Sequence, residues 1–327
     1  MGAFLSIILG FVPMLIYALL LYWLDRYEKE PVKLLRNVFL WGAIVAAGAA
    51  FIINTVLGLG IYAATGSETA TDFATSTMIA PIVEESLKGF AVFLVFLFYR
   101  KEFDSILDGI IYAAVTALGF AATENAYYIF NYGFVENGFS GLFQMAFIRT
   151  IVVGWQHPFY TAFFGIGLAI SRMNRSSLVK FFAPVFGLGF AIFTHAVHNA
   201  IASAGSGALC IFGTFLDWSG WIMMLIFIAW LVNRERLLLI RNLAEEVQLG
   251  ILTAQQYQIA CSPVRSSRTR LQAWRTTNHK QVNRFFDLLG ELAHKKNQYL
   301  AMGDEGGNLS IIQTLRAEIA SLSPVIY

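Results

Sequence analysis

The chain has 327 residues, 57% of them apolar and 13% charged, with a formal charge of +2 and a mean hydropathy of +0.60. A soluble domain carries roughly 25% charged residues, so the composition excludes an ordinary soluble protein and predicts an all-α, polytopic membrane bundle. Basic residues sit beside hydrophobic runs and form no single patch, which offers nothing to a nucleic-acid partner.

A spanning helix needs about 20 largely apolar residues. On that rule seven stretches qualify: Phe4 to Trp23, Leu34 to Ala63, Phe73 to Tyr99, Ile106 to Phe130, Leu142 to Ser171, Phe181 to Ala204 and Leu209 to Val232. The first is too long for a signal-peptide core and lacks a small-residue cleavage site. Loops after the first, third, fifth and seventh stretches are basic (Arg26, Lys29, Lys33, Arg36; Arg100, Lys101; Arg172, Arg175, Lys180; Arg234, Arg236, Arg241). The loops Gly66 to Asp72, Asn131 to Gly141 and Gly205 to Gly207 hold no Lys or Arg. This bias predicts a multi-pass protein of the plasma membrane, the inner membrane in a bacterium, with its amino terminus outside and its carboxyl terminus in the cytoplasm. Cys210 and Cys261 then fall in different compartments, and no disulfide framework is expected.

Residues 1–232 therefore read as a transmembrane domain and 233–327 as a cytoplasmic helical tail. In the tail, Leu239, Leu243 and Val247 recur at helical spacing up to Gly250, Thr253 is an N-cap, and Ser262-Pro263 is a break. Leu271 to Gln298 predicts one long amphipathic helix, and Gly303 to Asn308 a turn before a last helix through Ile311 and Leu315. His279 and His294 read as solvated surface residues. Nothing in the tail looks catalytic.

The apolar stretches carry Glu84, Glu85, Glu124, His157, His195 and His198, with Lys88 one turn beyond the first pair. Each charge at the bilayer centre costs roughly 2.5–3.5 kcal/mol, so these groups must face one another. At about 1.5 Å per residue, Glu85, His157 and His195 each lie roughly 21 Å from the inner boundary, and Glu124 roughly 27 Å. Four helices thus bring polar groups to one layer in the outer third of the slab. Within helices, Glu84 and Lys88, Phe120 and Glu124, His157 and Thr161, and His195 and Asn199 are i, i+4 pairs. Pro81 and Pro158 open the backbone beside two of them. Taken singly, a Glu–Lys pair, Asn125 or Asn199 reads equally as interhelical hydrogen bonding, but such glue has no reason to gather in one plane. An ion- or proton-coupled transporter would spread polar groups through both membrane halves, whereas Gly89 to Tyr99 and Phe181 to Phe193 hold no charge.

Four motifs in order, Glu84-Glu85-x-x-Lys88, Phe120-x-x-x-Glu124-Asn125, His157 with Thr161, and His195-x-x-x-Asn199, resemble those of the PrsW family of intramembrane proteases, in the wider clan of the CAAX prenyl proteases. The resemblance covers roughly Leu34 to Ala204. Lys88 stands where the wider clan has Arg, and Glu124 where it has His, which is the PrsW-like pattern. The resemblance implies hydrolysis of a peptide bond in a membrane-anchored, single-span protein near the outer surface. The family's best-known role, shedding an anti-sigma factor, is one such substrate class.

Amide hydrolysis needs an activated water, oxyanion stabilisation and a proton for the leaving amine. No partnered Ser or Cys nucleophile lies at the right depth, so direct water attack is expected, with Glu84 or Glu85 as base and acid and Lys88 holding the other carboxylate ionised. His157, His195 and Glu124 admit two roles: ligands of a catalytic zinc with an open fourth position, or, with Asn199, metal-free groups polarising the carbonyl in a glutamate mechanism. His198 and Thr161 support either. Nothing in the chain specifies an oligomeric state.

Overall fold

The computed structural model describes residues 1–204, 207–275, 278–304 and 306–326, and among these every regular element is a helix. The expected loop Gly205 to Gly207 lies largely outside the described residues. The chain divides into two compact units, Met1–Tyr22 with Glu30–Ile226, and Trp23–Lys29 with Phe227–Tyr327.

Helices α1 (Gly2–Leu24), α2 (Val32–Leu40) and α3 (Ala47–Thr65) open the chain, with a π-helical turn, Trp41–Ala46, between the last two. A second π turn, Thr75–Ile79, joins α4 (Glu68–Ala74) to α5 (Ala80–Phe98). It ends two residues before Pro81, whose missing N–H removes one rung of the helical ladder and favours the wider turn. Next come α6 (Ile106–Tyr128), α7 (Glu136–Phe147), α8 (Gln156–Arg172), α9 (Ser177–Ser203) and the long α10 (Gly207–Gln248).

Among the described residues, five helical stretches are long and apolar enough to cross a membrane: Gly2–Leu24, Val32–Thr65, Ile106–Arg172, Ser177–Ser203 and Gly207–Gln248. Seven were expected from sequence, and the difference has two sources. Helix α5 carries Glu84, Glu85 and Lys88, too many charges to qualify on composition. The two expected stretches between Ile106 and Ser171 belong to one 67-residue run. Its backbone leaves helical geometry at Asn137 (φ −132°, ψ 17°) and Gly138 (φ 61°, ψ −148°), and again at Val153 (φ −121°, ψ 11°). Only glycine adopts the Gly138 conformation at low cost.

Helix α6 is the buried centre of this unit. Ser105 caps it, accepting from Asp108 N–H at 3.2 Å while its own N–H donates to Asp108 Oδ2 at 2.6 Å, so Asp108 is absorbed by the cap. Against α8 the approach is backbone to backbone: a Cβ on Gly109 would lie 2.3 Å from the Gly165 carbonyl oxygen, and one on Gly165 2.0 Å from that of Gly109. Small residues at such crossings let membrane helices gain van der Waals contact that lipid cannot supply. Helix α9 packs in turn on α8.

The second unit holds α11 (Ala254–Ala260), α12 (Pro263–Ala273), α13 (His279–Met302) and α14 (Asn308–Leu322) around Phe285, Leu288, Leu289, Leu292, Ile312 and Ile319, with Leu239 and Leu243 from α10. Thr253 caps α11 in a capping box with Gln256. Ser262-Pro263 ends α11 and also begins α12, since Pro suits a first turn and Ser262 caps it. The expected single helix over Leu271 to Gln298 is therefore two, parted after Ala273. His294 is buried, contrary to expectation, with its Nδ1 3.5 Å from Glu28. Burial follows because Trp23–Lys29 covers this face of α13: a Cβ on Gly290 would lie 2.0 Å from the Tyr27 carbonyl oxygen.

Candidate active site

Helices α5, α6, α8 and α9 converge on a buried polar cluster in the first unit. Glu85 is its fully enclosed anchor, with no exposed surface. Its Oε1 accepts from Lys88 Nζ at 2.5 Å and from His195 Nδ1 at 2.9 Å, and its Oε2 accepts from Thr161 Oγ1 at 2.7 Å. A carboxylate only accepts, so the proton of neutral His195 resides on Nδ1 and its Nε2 presents a lone pair.

Lys88 also lies 3.2 Å from His157 Nδ1 and 4.4 Å above the Phe120 ring. His157 Nε2 is 2.7 Å from Glu124 Oε2. Each imidazole is thus oriented by its own carboxylate, His157 by Glu124 and His195 by Glu85. The rings of His157 and His195 meet edge to face at 5.2 Å, and Tyr160 stacks on His195 at 4.9 Å.

Glu84 differs from both neighbours. Its Oε2 is buried without a hydrogen-bond partner, 3.9 Å from both Lys88 Nζ and His195 Nε2. An orphaned carboxylate oxygen in a low-dielectric site costs free energy unless a proton, water or cation completes it.

Arg149, on the π turn Ile148–Val152 before the α8 break, is the principal residue that sequence reasoning missed. Its Nη2 donates to Glu124 Oε2 and its Nε to Asn125 Oδ1 at 2.9 Å, with the guanidinium 4.4 Å over the Tyr128 ring. The signal was available, since an Arg in an apolar stretch needs an anion near it. Three carboxylates face two cations here, leaving one negative charge uncompensated when both histidines are neutral.

Two expected members stand apart. Asn199 donates to the Ser76 carbonyl oxygen at 2.8 Å and serves helix packing. His198 belongs to a neighbouring group, with its Nδ1 2.9 Å from Asp217 Oδ2 and 2.8 Å from Gln156 Nε2, and Gln156 Nε2 2.5 Å from the same Asp217 oxygen. Asp217 and Gln156 were also missed.

Of the metal set named from sequence, His157, His195 and Glu124, the structure groups the two histidines with Glu84. Ligand atoms of Glu84, His157 and His195 lie within 4.8 Å of one another, whereas Glu124 is already engaged by Arg149 and His157. Two imidazoles and one carboxylate are the donor set of hydrolytic zinc with an open position for water. The bare Glu84 oxygen and the His195 lone pair fit a cation, and Glu85 supplies His195 with the orienting bond that such a ligand needs, whereas His157, bonded to Glu124 through Nε2, would offer Nδ1 only if Lys88, now 3.2 Å from it, moved aside.

The family described as PrsW family intramembrane metalloprotease matches residues 30–231. Protease PrsW of Geobacillus kaustophilus is 32% identical over 170 residues, covering 50% of this chain and 68% of that protein. Protease PrsW of Oceanobacillus iheyensis is 27% identical over 207 residues, 63% of this chain and 87% of that protein. The Bacillus subtilis protein of the same name is 29% identical over 153 residues, 47% and 62% of the two chains. No solved structure matches.

Proposed function

The chain belongs to the PrsW family of intramembrane metalloproteases, and on that premise we propose that it cuts a single-span membrane protein near the outer membrane surface, with Glu84 as general base and acid. The observation carrying this assignment is the contrast between adjacent glutamates: Glu85 is saturated by three donors, while Glu84 keeps one buried oxygen bare.

Glu84 takes a proton from water as its oxygen attacks the scissile carbonyl carbon, then returns that proton to the amide nitrogen as the C–N bond breaks. Lys88, 3.9 Å away, stabilises the Glu84 carboxylate before the first step and after the second, and Glu85 with Thr161 holds Lys88 and His195 in place. Zinc would be held by the two histidines, with Glu84 reserved for the proton in this reading, and when bound would supply a polarised water and charge stabilisation for the oxyanion. The metal-free alternative is weaker: neutral His195 has no proton on Nε2, and the Asn199 amide is occupied by Ser76.

In this reading residues 1–232 form the protease domain, with seven spans once the charged α5 and both parts of the Ile106–Arg172 run are counted. The amino terminus is outside, residues 233–327 are cytoplasmic, and the membrane is the plasma membrane. The active layer then lies about 9 Å below the outer surface, which suits removal of an external domain, an anti-sigma factor being one substrate of that form. The test is co-expression with the host's single-span proteins and comparison of the amino termini of released fragments. Wild type yields fragments ending near the outer surface, and Glu84→Gln or chelator treatment abolishes them. Fragments unchanged in both arms would sink the assignment.

A further inference from the structure

The second unit presents one helix face that its own core leaves uncovered. On α12, Ser266 and Ala273 turn inward, and Arg270 pairs with Asp287 at 2.8 Å. The opposite side exposes Val264 (60%), Leu271 (68%) and Trp274 (72%) among the exposed Arg265, Arg268 and Arg275. Residues 264, 268 and 271 fall on one stripe of this helix, and Trp274 and Arg275 follow directly on its end. The helix holds no acidic residue.

One hydrogen bond within this unit ties down α12 itself and another the Cys261 residue just before it. Arg26 Nη1 donates to Ser267 Oγ at 3.0 Å, and Arg26 is two residues beyond the end of α1, stacked 3.6 Å over Trp23. Arg236 Nε donates to the Cys261 carbonyl oxygen at 3.1 Å, and Arg236 lies on α10 just past its apolar stretch, one turn and a half beyond Trp230, over which Arg234 sits. Trp beside Arg at the end of an apolar helix marks a membrane–water boundary. Two such boundary markers from different helices therefore lie beside α12, one bonded to it and one to the residue two before its start.

We propose that α12 is an interfacial anchor: its Val264, Leu271 and Trp274 side chains enter the headgroup region of the membrane that α1 and α10 cross, and Arg265, Arg268 and Arg275 bind anionic phospholipid phosphates. Alternating apolar and arginine side chains on one short helix have the chemistry of in-plane membrane helices, where apolar burial and charge attraction add. The proposal does not depend on the protease assignment, since no residue of the catalytic cluster takes part.

The test uses the full chain carrying Cys210→Ser and a spin label at Leu271→Cys, with Leu300→Cys on α13 as an exposed control. The chain is reconstituted in nanodiscs of phosphatidylcholine alone or with about one-third phosphatidylglycerol. Label 271 is expected to be shielded from a water-soluble nickel chelate and open to oxygen in the anionic discs, label 300 to remain open to the chelate, and each Arg→Gln change at 265, 268 or 275 to weaken shielding about fivefold. Equal chelate access at 271 and 300 in both discs overturns the proposal. So does shielding of 271 that persists in neutral discs and survives the triple Arg→Gln change, which would mean that protein, such as a second copy of this chain, covers the face.

Discussion

Each unit buries a glutamate among cations, and the two are finished differently. In the second unit Glu246 is fully enclosed. Its Oε1 accepts from Lys296 at 2.6 Å and Arg316 Nη2 at 2.8 Å, and its Oε2 from Arg316 Nε at 2.9 Å. In the first unit Glu84 keeps a bare oxygen with its nearest cation 3.9 Å away. A satisfied buried carboxylate holds structure together, whereas an unsatisfied one is free to exchange a proton or bind a ligand.

The largest expected effect lies at Glu84. Glu84→Gln keeps the shape and removes the base, so cleavage should fall by about 100- to 10,000-fold, while thermal unfolding of the purified chain does not move to lower temperature. Parental cleavage by this variant would erase the contrast. Glu246→Ala should do the reverse, destabilising the second unit by about 3 kcal/mol, the low end for a broken buried ion pair because Glu245 still reaches Lys296 and Arg316. Denaturant unfolding followed through Trp274 measures this, with cleavage at low temperature retained.

Arg149→Lys sharpens the comparison within the first unit. Lysine cannot serve Glu124 and Asn125 together, so His157 loses its fixed orientation, and zinc affinity or turnover should drop by about 10- to 100-fold. The smallest effect concerns the two free thiols. Burial pushes the Cys261 thiol up to about 11, so near neutral pH almost none is thiolate and maleimide should label exposed Cys210 but not Cys261. Rapid labelling of both would show that the second unit opens easily.

The polar layer was legible because charge in lipid is costly enough to leave a depth signature: Glu85, His157 and His195 fall at equal distance from their helix ends, and the structure joins them. Helical spacing reports which face a residue occupies but not what it meets there, so Asn199, on the face of His195, turns to Ser76 instead. Spacing also assigned Lys88 to Glu84 at i, i+4, while its short contact is with Glu85 at i, i+3. Arg149 and Asp217 were overlooked because each is a lone charge in an apolar run, visible only when every such charge is asked for its counter-ion. Reversals at Gly138 and Val153 inside one helical run blurred the span count. Burial of His294 was beyond reach, since its cover arrives from residues 23–29.

That cover has a temporal consequence. Tyr27 leaves the ribosome roughly 260 residues before Gly290, yet its carbonyl rests against it. Closing so long a loop is entropically expensive and slow. The loop at residues 23–29 must wait for its cover until α13 has been made, so folding of the second unit can be completed only after every helix between them has been synthesised.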